Sequence, residues 1–404
     1  MTTMLRRVFK AFHYRDFRVL WIGACTSSVG TWMQNIAQAW LVFEISKSPF
    51  LLGLDAFLGN IPIFLFSLIG GVVADRMDRR HLLVGSQVVQ MASAFLLTVL
   101  IALQWIQVWH ILALSFITGV AQAFGGPAYQ ALIPTLIDRE DLPNAIALMS
   151  IQFNLARVIG PVIGGIALTQ VGAAWCFGLN GISFVAPIIS LFILNARFIP
   201  ERAKGSILDS MKAGFGFIRK QGAMEALIAL AFLTTALGIP VITFLPVFAK
   251  DVFGGGPTTY TILLASSGAG SVVGAVLVAA MGNMKNKGRV TLTMLVILGA
   301  AIAGFALSPS VSISCVLLFL SGASLICVFT TISSLVQLIT SDDMRGRVMS
   351  VYNVAFRGGM PMGNLATGWL VPLFTAPRVL AVNGLLLLLL GVYFLFVQRR
   401  VAAL

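Results

Sequence analysis

Apolar residues run along this chain in blocks of about twenty or more, longer than the core helices of a water-soluble domain, and short polar or basic interruptions separate them. Reading between the interruptions predicts helices over 17–44, 51–74, 82–103, 109–137, 143–169, 174–196, 224–249, 258–281, 290–307, 311–338, 347–371 and 377–398. Each is long enough to cross a hydrocarbon core of about 30 Å at 1.5 Å per residue. The longest polar stretch, 197–223, divides them six and six. It reads as a cytoplasmic linker, with Ile207, Met211, Phe215 and Ile218 spaced for one amphipathic turn on the membrane surface. The predicted fold class is therefore an all-α membrane protein of twelve transmembrane helices in two six-helix bundles, 1–196 and 224–404.

The two halves repeat. Met149, Ser150, Arg157 and Pro161 of helix 5 recur 200 residues later as Met349, Ser350, Arg357 and Pro361 of helix 11, with the same internal spacing. Two related six-helix halves in parallel topology are the architecture of a transporter that rocks around a site near the bilayer midplane.

Composition sharpens this picture. Of 404 residues 58% are hydrophobic and 10% charged, against about 25% charged in soluble domains, so a soluble enzyme is excluded. The net charge of +13 would suggest nucleic acid in a soluble protein. Here it has another origin. Of the 27 Lys and Arg, only Lys47, Lys250 and Arg378 fall in one set of loops and only Arg157 and Arg357 within helices; the rest lie on the other side. That asymmetry places both termini in the cytoplasm and makes the net charge a matter of topology, with no nucleic-acid partner. The basic, aromatic first 18 residues precede an apolar run too long for a cleaved signal. Cys25, Cys176, Cys315 and Cys327 all lie in apolar stretches and read as packing residues. His13, His81 and His110 are too scattered for a metal site, no Walker motif is present, and no nucleophile, base or metal cluster assembles, so no cofactor and no enzyme activity are expected.

Motifs narrow the family. After helix 2 comes Gly71-Val-Val-Ala-Asp75-Arg76-Met77-Asp78-Arg79-Arg80. This resembles the G-x-x-x-D-R-x-G-R-R signature of the major facilitator superfamily, departing only at Asp78, where the family has Gly and where a positive φ is expected. The resemblance implies a cytoplasmic latch of Gly71, Asp75, Arg76, Arg79 and Arg80. In it Gly71 lets helices 2 and 11 approach closely, Asp75 faces the N-terminal end of a neighbouring helix, and Arg79 or Arg80 pairs with Asp138. In helix 5, Gly160-Pro161-Val-Ile-Gly164-Gly165 looks like the packing motif of drug:proton antiporters of the same superfamily, with small residues for close packing and a proline kink. Asp16-Phe-Arg18, Trp40 to Glu44 with Ser48-Pro49, Pro127 to Pro134, Asn154 to Arg157 and Arg345-Gly-Arg347 extend the likeness from about residue 12 to 398. They resemble the exporter group that contains the enterobactin exporter and macrolide and multidrug efflux proteins.

Ionisable residues inside a membrane are functional candidates, because a central charge costs at least several kcal/mol. Arg157 and Arg357 sit at equivalent places in the two halves, while Glu44 and Asp55 lie towards the external ends of helices 1 and 2. Asp55, Arg157 and Glu44 are the candidates for proton coupling, and Arg357 for an anionic ligand group. In the superfamily helices 1, 4, 7 and 10 line the cavity, so the resemblance points to Gln34, Asn35, Gln38, Thr118, Gln122, Thr234, Thr235, Ser324, Thr330 and Thr331 as substrate contacts. An alternative role for each is an interhelical hydrogen bond. Neutral amides and hydroxyls among many Phe and Met suit a bulky amphipathic ligand. The expected function is secondary active export of such a molecule, a siderophore, drug or similar, across the bacterial inner membrane by proton antiport. A lipid or lysolipid flippase on the same fold is the alternative, and a monomer in the lipid bilayer suffices for either.

Overall fold

A computed structural model describes residues 9–194, 215–219, 221–281, 286–341 and 344–404, with the side chains of Leu68 and Asp75 also outside the described set. Most of the linker, including Ile207 and Met211 of the expected amphipathic turn, lies outside it as well; 215–219 is helical, with Phe215 exposed and Ile218 buried.

The described residues fold as helices. They are α1 (Arg15–Ser46), α2 (Pro49–Arg76), α3 (Arg79–Ala102), α4 (Val108–Leu132), α5 (Leu142–Gln170) and α6 (Ala173–Ser183 continuing as Val185–Ile193). The second set begins with α7 (Gly222–Gly238, then Pro240–Thr243, Leu245–Val247 and a π-helical end Phe248–Val252). It continues through α8 (Pro257–Met281), α9 (Lys287–Leu307), α10 (Val311–Leu338), α11 (Arg345–Phe374) and α12 (Ala376–Phe396).

Prolines explain where the observed helices break and the expected ones did not. Pro187 has no N–H to offer the Ser183 carbonyl and its ring crowds that group, so α6 breaks at Phe184. Pro240 and Pro246 interrupt α7 in the same way. Pro134 ends α4 at Leu132 in favour of a short 3-10 turn, Ile133–Thr135.

Among the described residues ten helices are long and apolar enough to cross a membrane. The two long helices outside that set, α1 with 32 residues and α11 with 30, have the length. Polar positions lower their hydropathy: Gln34, Asn35, Gln38 and Glu44 in α1, and Asn353, Arg357 and Asn364 in α11.

The chain divides into two compact units, Met1–Ile45 with Ile61–Lys204, and Ser46–Asn60 with Gly205–Leu404. In the first, glycines admit close neighbours in three helix pairs that have counterparts in the second. Gly160 and Gly164 of α5 abut Val29 to Met33 of α1, Gly70 of α2 abuts Ala123 of α4, and Gly181 of α6 lies against Phe95 of α3. The second unit uses the same three pairs. Gly359 and Gly363 of α11 meet Thr235 and Ala236 of α7, Gly274 of α8 meets Ala323 of α10, and Gly384 of α12 meets Gly299 and Ala303 of α9. Close approach at small residues is how helices associate where lipid removes the hydrophobic drive.

The first part of α2, with the junction 46–48 before it, groups with the second unit, which the linker-based division of the sequence did not anticipate. Its packing gives the reason: a Cβ on Gly53 would lie 2.5 Å from the Asn364 carbonyl and 2.9 Å from Gly368 Cα, both in α11.

Candidate functional site

In the first unit, α1 carries Gln34 and Gln38 one turn apart, but they address different neighbours. Asn180 of α6 donates to Gln34 Oε1 at 2.6 Å, while Gln38 Nε2 donates to Ser115 Oγ of α4 at 2.9 Å. Asn35, between them, is exposed. On α4 the Thr118 hydroxyl bonds back to the Leu114 carbonyl, and Gln122 is exposed. Three of these five side chains therefore hold bonds within the unit, and Asn35 and Gln122 present their amides outward.

Arg157 of α5 meets an aromatic face. Its guanidinium lies 5.9 Å from the Trp32 ring centroid, and Phe153 packs edge-on against that indole at 6.1 Å. Among the described residues no carboxylate lies within ion-pairing distance of Arg157. The glycines one and two turns on set this geometry: a Cβ on Gly160 would sit 2.5 Å from Trp32 Cβ, and one on Gly164 would sit 2.9 Å from Met33 Cα. Pro161 lies inside the helix between them, and Gly165 is buried.

At the α2–α3 junction three details correct the sequence reading. A Cβ on Gly71 would meet nothing within 4 Å; the close approach falls one residue earlier, at Gly70, and its partner is α4. A shift of one residue turns a helical position by about 100°. Asp78 has φ −61 and ψ 113, not the positive φ expected where the family has glycine. It is the N-cap of α3, accepting the Arg80 N–H at 2.8 Å, and extended backbone is the usual N-cap geometry. The arginines reach carbonyls, Arg79 that of Ala131 at 2.9 Å and Arg80 that of Phe192 at 2.7 Å, and Arg80 also lies over the Phe192 ring. Arg76 is exposed, and the side chain of Asp75 lies outside the described residues.

Asp138, expected to pair with Arg79 or Arg80, is held instead from the N-terminus. Tyr14 Oη donates to Asp138 at 2.9 Å and to Asp141 at 3.0 Å, and Lys10 Nζ lies 2.6 Å from Asp141. The Ala11 amide donates to Asn144 at 2.9 Å, which seats the 3-10 turn Lys10–His13 against the start of α5. The hydrogen bond to Asp138 pushes the Tyr14 phenol up to about 12. The bond from Lys10 holds the Asp141 carboxyl below its usual range, and the reciprocal bond raises Lys10. Sequence inspection passed over this buckle because its partners lie more than 120 residues apart.

In the second unit Asp55 of α2 is 6% exposed, a carboxylate buried within an apolar span. Glu44 of α1, assigned to the first unit, is half-buried. Thr234 and Thr235 of α7 are buried, Thr235 bonding back to the Phe232 carbonyl at 2.8 Å. Ser324 and Thr331 of α10 are also buried, and Thr331 bonds back to the Cys327 carbonyl at 2.6 Å. Arg357, unlike its counterpart Arg157, is exposed.

Thr330 belongs to a different face of α10. With Ser333, Ser334 and Gln337 it forms a stripe at i, i+3, i+4 and i+7. These four, with Phe329 and Leu338 and with Tyr352 and Phe356 of α11, line a cleft of about 520 Å³. Phe329 and Phe356 meet edge-on at 4.8 Å, and Tyr352 and Phe356 stack at 5.9 Å. The sequence reading missed Ser333, Gln337, Tyr352 and Phe356. The available signal was the spacing of polar residues around Thr330, which separates the cleft face from that of Ser324 and Thr331.

Comparison with known proteins agrees with this architecture. The chain is 25% identical over 384 residues to the staphyloferrin A transporter of Staphylococcus aureus, covering 92% of this chain and 94% of that one. It is 24% identical over 387 residues to the multidrug efflux pump Tap of Mycolicibacterium fortuitum, covering 93% and 94%. It is 27% identical over 396 residues to the enterobactin exporter EntS of Shigella boydii, covering 94% and 91%. The fold superposes on the nucleoside transporter NupG with a TM-score of 0.72 at 14% identity, over 94% of this chain and 98% of that one. The model of the transmembrane secretion effectors, a family of the major facilitator superfamily, matches residues 7–403. The chain is a member of that family, a multi-pass membrane transporter and not an enzyme.

Proposed function

We propose that this protein is a secondary active exporter that moves an amphipathic small molecule, a siderophore, a drug or a compound of that kind, out across the bacterial inner membrane in exchange for protons. The observation that carries the reading is Asp55, a carboxylate 6% exposed in an apolar span of a chain whose relatives include siderophore and drug exporters. Binding and releasing a proton there changes the charge of the span. Glu44, half-buried near the end of α1, is a second proton carrier, and Arg157, held on Trp32, supplies fixed positive charge.

The moving bodies of this reading are the bundles 1–196 and 224–404, joined by the linker 197–223, with both termini cytoplasmic and one chain sufficient. Alternating access between them exposes the site to one side at a time. Asn35, Gln122 and Arg357 contact substrate most directly, because their side chains are exposed and make no hydrogen bond among the described residues. Gln34, Gln38, Thr118, Thr235 and Thr331 exchange their present bonds for substrate contacts, and Thr234 and Ser324, both buried, complete the set. Asp75, Arg76, Arg79 and Arg80 form the cytoplasmic latch.

The test is proton flux in sealed proteoliposomes loaded with a pH-sensitive dye, with siderophores, macrolides and lysolipids added in turn. Movement of protons triggered by a siderophore or macrolide, and lost in Asp55→Asn, is the expected result. Ligand movement without protons overturns the antiport mechanism, and movement of lysolipids alone overturns the substrate class in favour of a flippase.

A further inference from the structure

The polar stripe of α10 is uncharged and its hydroxyls are unevenly committed. Thr331, one residue away on a buried face, satisfies its hydroxyl on the Cys327 carbonyl, the usual arrangement for a hydroxyl in a membrane helix. Ser333 accepts from Gln337 Nε2 at 3.3 Å. Thr330 and Ser334, one turn apart, make no hydrogen bond among the described residues, and both line the cleft. Two open hydroxyls on one side thus stand near three aromatic rings, Phe329, Phe356 and Tyr352.

That combination selects a ligand. Aromatic rings favour another ring placed offset or edge-on, which an aliphatic group of equal size does not match. Hydroxyls that bond no described protein group are available to donors and acceptors on the ligand's rim. Among the described residues no charged side chain lines the cleft, so an ionised group there meets no counter-charge from them. A volume of about 520 Å³ is within the usual range of small-molecule pockets and accepts one or two rings.

We propose that the α10–α11 cleft is a binding subsite for an uncharged aromatic group bearing hydroxyl or amide substituents, with Phe356 and Tyr352 supplying the stacking faces and Thr330 and Ser334 the hydrogen bonds. The proposal deepens the exporter reading and rests on it for the identity of the molecule that carries the group. It is tested by binding alone.

The experiment uses the full chain in lipid nanodiscs and saturation-transfer NMR with four probes: 4-hydroxybenzamide, the non-aromatic cyclohexanecarboxamide, anionic 4-hydroxybenzoate and cationic 4-hydroxybenzylamine. The amide is expected to bind tightest. Phe356→Leu, which keeps apolar volume and removes the ring, weakens it about five- to tenfold. Ser334→Ala and Thr330→Val each weaken it about threefold or more, and they carry the test if Phe356→Leu fails to fold by size exclusion. Equal binding of the cyclohexane analogue, tighter binding of either charged probe, or indifference of the amide to Ser334→Ala and Thr330→Val overturns the proposal. Amide binding that depends on these side chains, in a protein that moves none of the siderophores or drugs in proteoliposomes, upholds the subsite and retires the exporter reading alone. Transport with amide binding indifferent to all three substitutions does the reverse.

Discussion

The Arg157 guanidinium rests 5.9 Å from the centre of the Trp32 ring, inside the first unit and across the α1–α5 contact that Gly160 and Gly164 bring together. A cation in this position trades part of its lost hydration for the ring's negative face, an exchange worth about 0.5 to 2 kcal/mol. Trp32→Leu is expected to destabilise the detergent-purified protein by about 1 kcal/mol, with Trp32→Phe intermediate, as measured by thermal unfolding. Equal unfolding temperatures for Trp32→Leu and wild type would remove the interaction from the account.

The two adjacent glycines of α2 give an internal comparison. A Cβ on Gly70 would press on the Ala123 carbonyl and lie 3.1 Å from Phe124 Cα, whereas one on Gly71 meets nothing within 4 Å. Gly70→Ala is expected to cost about 1 to 3 kcal/mol, because backbone must move to admit the methyl. Gly71→Ala leaves unfolding within about 0.5 kcal/mol of wild type. The reverse order would place the α2–α4 contact wrongly.

Asp78 caps α3 through its carboxylate. Removing that acceptor in Asp78→Ala costs about 1 kcal/mol, whereas Asp78→Gly, which restores the family residue, costs only a few tenths. Thermal unfolding of the three proteins side by side decides it, and an Asp78→Ala protein as stable as wild type would show that the cap contributes nothing.

The buckle of Lys10 and Tyr14 on Asp138 and Asp141 has a defined pH window. The folded-state pKa of Asp141 is depressed below 3.8, so its contribution is present above that value and is lost as pH falls through the folded pKa. Lys10 is raised above 10.5 and Tyr14 from 10.0 to about 12, so their contributions are present below the ordinary values and are lost as pH rises through the folded ones. Trp21, whose Nε1 donates to the Leu148 carbonyl at 2.9 Å and whose ring meets Phe12 at 5.0 Å, lies beside the buckle. Replacing the other Trp residues isolates its emission, which should be flat between about pH 5 and pH 9 and shift outside that interval. A midpoint near neutrality would point to a different group.

What could be read from the sequence follows from what is local in it. Apolar runs and prolines are local, so the spans were legible to within a few residues, and the offset of 200 between Arg157 and Arg357 announced the repeat that the helix pairs carry into three dimensions. Rotation about each helix axis was not legible. It separates Gly70 from Gly71, turns Gln34 to α6 and Gln38 to α4, and puts Thr330 in a cleft but Thr331 against the core. The repeat also conceals a slip: Gly359 and Gly363 pack on α7, one position ahead of the offset, so the place of Gly164 falls to Asn364. That side chain is fully buried with neither amide atom bonded among the described residues.

The N-terminal buckle also orders events during synthesis. The Ala11 amide waits for Asn144, 133 residues later, and Tyr14 for Asp138, 124 residues later. At about 5 to 20 residues per second that delay is on the order of ten seconds, during which a basic, aromatic segment is without its partners. The tail docks only once α1 to α4 and the start of α5 have been made, so its closure marks that the ribosome has delivered the first four spans.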